Sequence, residues 1–597
     1  MKTVYAALII LALSLAAYSN TFKASFHFDD NAQIPYNENI RDLGNLPMFF
    51  QGAELSSYDE RCRGYRPLLY SSFALNYAIS ANDTWSYHVL NFVLHFLNSL
   101  MVFLVLSVVL KNRIKGDPFA VSLITALVFA VHPIQTDAVT YISGRSALLS
   151  AFFCLSSLLC YMLFREGGSK AKYAYAALSP VLFFLGLMSK ETAVALLGLV
   201  LLYDTLLFLP GRRPGLPKHA LYYLPFMGSL LAFLVIRKAV QGFATVPGTG
   251  FGVGQYMMSE AGVSLMYVRL MFLPFNLNAD YNLPLAQSVD APVVTSVCAL
   301  AAFLFLLFRM RESNPVAVFF GAWFLLALAP ESSFIPIADT AVEYRMYLPS
   351  TGFIAAVALA LSGLVTAPRV RKAAVVMVCI IFTSLTFIRN AVWADELSLW
   401  GDTVKKSPYS QRAHLNLGCA MLAAGRYKDA GRELEGAVDI APYNYNGLIY
   451  FNLGVCYTKL NETDQAIRAF ESSLELDPGD MDAMMKLGEL YIVKEDYGNA
   501  VTVLSKAAHL RPEYAPVRYS LARAYESTGR LKEALAELEG AYRYAPADFG
   551  IVYGLAVMYD ENGLKADALS MANMARGLAQ DSSQQQMADN FIFGLGK

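Results

Sequence analysis

From its start to about residue 388 the chain is a succession of apolar runs of about 16 to 25 residues, with charge confined to the stretches between them. The remainder is polar and charged. A run of that length crosses about 30 Å of hydrocarbon as a helix, the form that satisfies its own backbone there. Such runs lie near residues 4–20, 86–110, 118–132, 146–164, 173–188, 191–209, 220–237, 291–308, 315–330, 348–365 and 373–388, eleven spans in all. Residues 256–275 are also apolar but carry Glu260 and Arg269, and read as re-entrant or interfacial. A cleaved signal peptide can mimic residues 1–20.

Basic residues in short loops stay on the cytoplasmic side. Five loops carry them: Lys111/Arg113/Lys115, Arg165/Lys170/Lys172, Arg212/Arg213/Lys218, Arg309/Arg311 and Arg369/Arg371/Lys372. All five fall on one side if 256–275 does not span. The same parity puts a large first loop (21–85), the loops 133–145 and 331–347, and everything after 388 on the far side.

From about residue 411 a repeat of 34 to 36 residues sets in. Its markers are Leu417-Gly418, Ala430 and Pro442, then Leu453-Gly454, Tyr457, Ala466, Phe470 and Pro478, then Leu487-Gly488, Tyr491, Ala500 and Pro512. Leu521-Ala522, Tyr525, Ala534 and Pro546 follow, and a degenerate unit with Leu555-Ala556, Tyr559 and Ala568 ends the series. This is the tetratricopeptide (TPR) pattern of stacked helical hairpins, in which small residues allow close approach and proline ends the second helix. The expected fold is therefore all-α: a polytopic membrane helical domain (1–388), a connector (389–410) and a TPR α-solenoid of about five repeats (411–597). Such stacks bind peptides or partner proteins along one face, or serve as a structural cap.

Composition agrees with this division. Hydrophobic residues make up 56% and charged residues 16%, against about 45–50% and 25% in soluble domains. Lys+Arg 47 against Asp+Glu 48 leaves a net charge of −1, so no nucleic-acid partner is expected. The seven cysteines form no CxxC pair, which argues against a disulfide framework or a zinc site.

Ionisable residues at the far-side surface are the informative ones, since charge near the membrane is costly and marks working sites. Asp29-Asp30, just beyond the first span, can bind a divalent cation (Mg or Mn), act as a general base toward a hydroxyl, or form a solvated helix-end pair. Arg145, after Gly144 at a helix entrance, suits bidentate capture of a phosphate or snorkelling to lipid headgroups. Lys190-Glu191 lies in a very short hairpin, and Glu343-Tyr344-Arg345 at another helix entrance. Each can be an ion pair. Three far-side loops with one cation each, facing a loop with acids, fit group transfer from a lipid-linked phosphate. GxxxxGK[ST], GxSxG and HExxH are absent from the sequence.

These residues also resemble the transmembrane and TPR-containing O-mannosyltransferases and their bacterial relatives. The likeness is carried by Asp29-Asp30, Tyr65-Arg66-Pro67-Leu68, Asn76-Tyr77, Tyr87-His88-Val89-Leu90-Asn91, Asn98, His132-Pro133, Gly144-Arg145, Lys190-Glu191 and Glu343 through Ser350. Met266-Tyr267-Val268-Arg269 through Pro274 to Asp280-Tyr281 is similar to a further segment of that family. The resemblance implies a C-type glycosyltransferase fold using a polyprenyl-phosphate sugar, with mannose as default. It implies Asp30 as base with Asp29 as helper or metal ligand, Arg145, Lys190 and Arg345 on the donor phosphate, and Arg66, His132, Asp137 and Glu343 lining the site.

The expected activity is transfer of a sugar to a protein Ser/Thr hydroxyl on the periplasmic or lumenal face, the repeats recruiting the acceptor. Transfer to a lipid or envelope polysaccharide, and a non-enzymatic membrane scaffold, are the alternatives. The compact chain favours a bacterial inner membrane over the endoplasmic reticulum, with the repeats in the periplasm.

Overall fold

A computed structural model describes all residues except 53–63, 168–169, 209–220, 242–251, 334, 366, 442–445 and 596–597. Cys62, the basic loop Arg212/Arg213/Lys218 and Pro442 lie outside the described residues. The chain divides into two units, Met1–Ser407 and Pro408–Lys597. The stretch expected to begin a connector therefore belongs with the membrane unit.

The first unit is a bundle of helices: α1 (Lys2–Tyr18), α2 (Asp29–Gln33), α3 (Pro67–Ser80), α4 (Trp85–Leu110), α5 (Pro118–Val131), α6 (Thr136–Val139), α7 (Arg145–Glu166), α8 (Lys172–Ser189) and α9 (Ala195–Tyr203) come first. They are followed by α10 (Leu224–Gln241), α11 (Val253–Phe272), α12 (Ala291–Met310), α13 (Pro315–Leu328), α14 (Tyr347–Leu364), α15 (Pro368–Val392) and α16 (Glu396–Lys406). Several starts are written locally. Asp117 accepts from the Phe119 amide ahead of Pro118, Asn314 from Ala317 ahead of Pro315, and Asp290 from Val293 ahead of Pro292. A polar cap followed by proline meets the unpaired amides of a first turn where proline has none to offer.

Among the described residues eight helical stretches are long and apolar enough to cross a membrane, or nine if the bent pair Pro118–Val131 and Pro133–Val139 is one span. Lys2–Tyr18 and Pro315–Leu328 are shorter apolar helices. Together these account for the eleven apolar runs. Helix α11 is not among them. Its Tyr256 hydroxyl donates to the Glu331 carbonyl (2.6 Å) and its Tyr267 hydroxyl to the Val342 carbonyl (2.8 Å), so it lies alongside residues 331–342. The inner helices Trp85–Leu110 and Ile142–Glu166 are 56% buried, whereas Leu224–Gln241 and Ala291–Met310 are 11% buried and turn apolar side chains outward. That outward apolar surface is what a bilayer solvates and water does not.

The loops that follow α1, α5, α8, α13 and α15 meet at one end of the bundle. Ser25 donates its amide to the Ala394 carbonyl (3.0 Å), Tyr344 its amide to Asp137 (2.9 Å), and Lys190 pairs with Glu331 (2.8 Å). At the other end Arg113 pairs with Glu166 (2.6 Å) and Arg165 with Asp204 (3.0 Å).

Among the described residues the second unit is five helical hairpins and a last helix. The hairpins are Gln411–Ala423 with Tyr427–Ile440, Asn446–Lys459 with Thr463–Leu476, Met481–Val493 with Tyr497–Leu510, Ala515–Ser527 with Leu531–Tyr544, and Phe549–Glu561 with Lys565–Leu578. Ser582–Leu595 closes the stack. The marker glycines permit the close crossings: a Cβ on Gly454 or Gly488 would lie 2.7 Å from Phe470 or 2.5 Å from Leu504. The marker tyrosines tie successive hairpins, Tyr457 donating to Glu435 (2.7 Å) and Tyr559 to Glu539 (3.0 Å).

Candidate active site

The acid turn follows α1. Asp30 is completely buried, and Asp29 beside it is exposed. One Asp30 oxygen accepts from the Ser143 amide (2.8 Å) and hydroxyl, the other from the His27 amide (3.0 Å). Burial pushes the Asp30 carboxyl up to about 6, and these donors limit the rise. Asp30 thus anchors the turn, while Asp29 is presented outward. Phe28, directly before them, has φ +48°, a region that costs a residue with a Cβ on the order of 1–3 kcal/mol and persists only when neighbours hold it.

His27 is buried between two acceptors. Its Nδ1 is 3.2 Å from a Glu396 oxygen and its Nε2 2.8 Å from the Trp393 carbonyl. Burial disfavours a charged imidazole, but Glu396 and that carbonyl outweigh it and hold the His27 pKa above its ordinary value.

The second loop, 132–145, doubles back tightly. A Cβ on Gly144 would meet the carbonyl oxygens of Ala138 (2.7 Å) and Asp137 (2.8 Å), so only glycine fits there. Arg145 turns into the bundle and is completely buried. It donates to Asn91 Oδ1 (2.7 Å), Ser72 Oγ (2.9 Å), Asn76 Oδ1 (2.7 Å) and the Tyr87 carbonyl (2.9 Å), with the Phe73 ring 4.8 Å away. Its hydrogen bonds tie α3 and α4 to the loop that holds Asp30. His132 likewise has both ring nitrogens engaged, by the Ile134 amide (3.2 Å) and the Met271 carbonyl (3.1 Å), and so fastens the end of α11.

Lys190 and Arg345 are brought together. Both line a small cavity of about 20 Å³, with Glu331, Tyr344 and Ser150. Lys190 pairs with Glu331 and sits 4.6 Å from the Tyr344 ring centre. Burial draws its ammonium pKa below the ordinary value, and Glu331 opposes that pull. Arg345 donates to the Thr340 carbonyl (2.8 Å) and the Asp339 carbonyl, with Glu260 at 3.9 Å. Arg66 is 3.6 Å from Glu191 and is not among the residues lining the cavity. Asp137 and Glu343 fix the 343–345 turn from either side: Asp137 accepts the Tyr344 amide, and Glu343 accepts from the Asn278 amide (2.6 Å) and the Tyr281 hydroxyl (2.6 Å).

Tyr141 packs beside the acid turn, 5.7 Å from the Phe28 ring. Burial pushes its hydroxyl well up, and Asp29, Asp30 and Tyr344 are the charged or polar groups it feels. Glu331, Ser143, Trp393, Glu396 and Trp400 are not among the residues expected from the sequence, and Glu260 is marked only as a charge within an apolar stretch. Glu331, at the end of an apolar run, carries a signal in the sequence comparable to that of Lys190 and Arg345. Among the described residues no group of three His, Cys, Asp or Glu side chains is placed to hold a metal ion. Both Asp30 oxygens accept from protein donors.

Tetratricopeptide repeat profiles match residues 448–480, 494–541 and 519–583. The chain is 26% identical over 451 residues to the Protein O-mannosyl-transferase F38B6.6 of Caenorhabditis elegans, covering 73% of this chain and 62% of that protein. It is 26% identical over 513 residues to the human Protein O-mannosyl-transferase TMTC3, covering 79% of this chain and 55% of that protein. The chain thus spans between half and two thirds of the length of these relatives. Over the repeats, YrrB, a TPR protein with an unusual peptide-binding site, aligns over 32% of this chain and 97% of its own length at 18% identity and a TM-score of 0.29. The chain is a relative of the TMTC-type protein O-mannosyl-transferases, with multiple membrane spans followed by TPR repeats.

Proposed function

We propose that the membrane unit transfers a mannosyl group from a polyprenyl-phosphate donor to a Ser or Thr hydroxyl of a polypeptide. The observation that carries this reading is the meeting of Lys190 and Arg345 in one cleft, at the bundle end where the acid turn buries Asp30 and exposes Asp29. In the reaction the acceptor oxygen attacks the anomeric carbon, the bond from that carbon to the phosphate oxygen breaks, and the phosphate leaves with the electron pair. Asp29 takes the hydroxyl proton, and Lys190 and Arg345 stabilise charge on the leaving phosphate. A single displacement inverts the sugar carbon.

Roles shift accordingly from the first expectation. Asp30 holds the turn and Asp29 is the base, because Asp29 is at the surface and Asp30 is buried. Arg145 is a scaffold residue, since its guanidinium is spent on four internal acceptors. The donor phosphate replaces Glu331 as the counter-ion of Lys190; the Glu331 side chain is 16% exposed and can turn away. No step is routed through a divalent cation.

Arg113 and Arg165 lie at the end opposite the cleft, and so do Arg309, Arg311, Arg369, Arg371 and Lys372, because α13 rises from them to Glu331 and α14 descends to them from Arg345. The positive-inside rule then puts the cleft on the non-cytoplasmic face, in a bacterial inner membrane the periplasmic one. The repeats hold the acceptor polypeptide.

The test is Asp29→Asn in the full chain in lipid nanodiscs, with radiolabelled polyprenyl-phosphate mannose and a Ser/Thr-rich peptide. Transfer falls by about a hundredfold or more, the range of a positioned general base, with insertion and thermal midpoint unchanged. Unchanged turnover removes Asp29 from the role. No labelled peptide with the unaltered protein, but labelled lipid or polysaccharide, moves the acceptor to those classes.

A further inference from the structure

Helix α16 (Glu396–Lys406) leads out of the last apolar helix and has only 11 residues, yet it grips both parts of the site. At its start Glu396 faces His27, and the Trp400 indole N–H donates to the other Glu396 oxygen. The Trp400 ring lies 4.8 Å from that of Phe28, the residue held at φ +48°, and Tyr141 and Trp393 complete the enclosure at 5.7 and 6.2 Å. At its end Lys406 donates to the Leu277 carbonyl (2.7 Å), and Ser407, just past it, donates to the Asp280 carbonyl (2.8 Å) and accepts from Asn278 (2.8 Å). Residues 278 and 281 are the ones that hold Glu343, two positions before Arg345.

We propose that α16 is a positioning clamp for the transfer site: Trp400 and Glu396 lock the strained Phe28 turn that presents Asp29, while Lys406 and Ser407 brace the turn that carries Arg345. This rests on Asp29 being the base. None of these four residues is catalytic, since none is placed against the cleft. They act through the turns they hold. A base displaced by about 1 Å loses on the order of a hundredfold in rate, whereas donor binding through Lys190 and Arg345 depends on the opposite end of the helix. The two ends should therefore separate kinetically.

The experiment compares Trp400→Leu, Trp400→Phe and Asp29→Asn in the full chain in nanodiscs, reading kcat and the donor KM. Trp400→Leu lowers kcat about tenfold or more and leaves the donor KM within about twofold, and Trp400→Phe, which keeps a ring against Phe28, recovers most of the loss. If Trp400→Leu does not insert, Glu396→Gln, of equal volume, is read the same way. Unaltered kcat in Trp400→Leu beside an inactive Asp29→Asn overturns the clamp and leaves the base reading standing. An active Asp29→Asn beside an impaired Trp400→Leu overturns the base reading instead. Equal losses in Trp400→Leu and Trp400→Phe, or a parallel rise in donor KM, reduce α16 to general packing and also overturn the clamp.

Discussion

The two units carry charge in opposite ways. In the membrane unit Asp30, Arg145, Lys190, Glu343 and Arg345 are all nearly or completely buried, and each is held by polar contacts to residues distant in sequence or in a neighbouring turn. In the repeats the charges are at the surface, and pairs such as Arg426 with Asp429, Arg432 with Asp429 and Arg530 with Glu533 are three residues apart on one exposed helix face. Buried charge is costly and must be held by a specific arrangement, whereas exposed pairs are screened and nearly free to vary. The repeats therefore owe their fold to Gly, Ala, Leu and Tyr at fixed spacing. The membrane unit owes its site to a few polar contacts between residues distant in sequence.

Arg145→Met probes this contrast hardest after Asp29→Asn. It strands the Asn91, Asn76 and Ser72 oxygens, and Asn91 cannot turn because its amide already donates to the Val139 carbonyl (3.1 Å). With each stranded acceptor costing about 1–3 kcal/mol, a loss of about 3 kcal/mol or more is expected, seen as a large drop in the thermal midpoint in detergent. A shift of only a degree or two would mean that desolvating the guanidinium already cancels those bonds.

A smaller effect comes from Asp30 through pH. Its folded pKa of about 6 stands above the ordinary 3.8. The folded state therefore binds the proton more tightly, so the contribution is fully present below about 3.8 and is lost as pH rises through about 6. The thermal midpoint should decline between those values, and Asp30→Asn should flatten that part of the profile. A profile of the same slope in the variant would assign the titration to another group.

The smallest change belongs to the repeats. Arg530→Ala removes an ion pair whose partners are 47% and 48% exposed, and is expected to shift stability by less than about 0.5 kcal/mol. A loss comparable to that of Arg145→Met would erase the distinction between the units.

Much of this was legible along the chain. The apolar runs reappear as helices because a segment that must satisfy its backbone in hydrocarbon has few other options, and the repeat markers reappear as hairpins because Gly454 and Gly488 leave no room for larger residues. Lys190 and Arg345 stood out as isolated cations at helix ends, and they do share a cleft. Arg145 stood out for the same reason but faces inward, because the loop 136–145 folds so tightly at Gly144 that the next side chain is directed among Asn91, Asn76 and Ser72. Nothing in the local sequence encodes that direction.

The order of hydrophobic and polar residues, by itself, determined the all-helical class, the two-part organisation and the end of the bundle where isolated charges gather, because each follows from short-range periodicity and the cost of exposing apolar surface. Only the tertiary structure decided which of two adjacent aspartates is open, which arginine is spent internally, and that Glu396 and Trp400 hold a turn near residue 28. Those outcomes depend on contacts across more than 350 residues of chain, such as His27 with Glu396, and a pairing of that range leaves no periodic trace in the sequence.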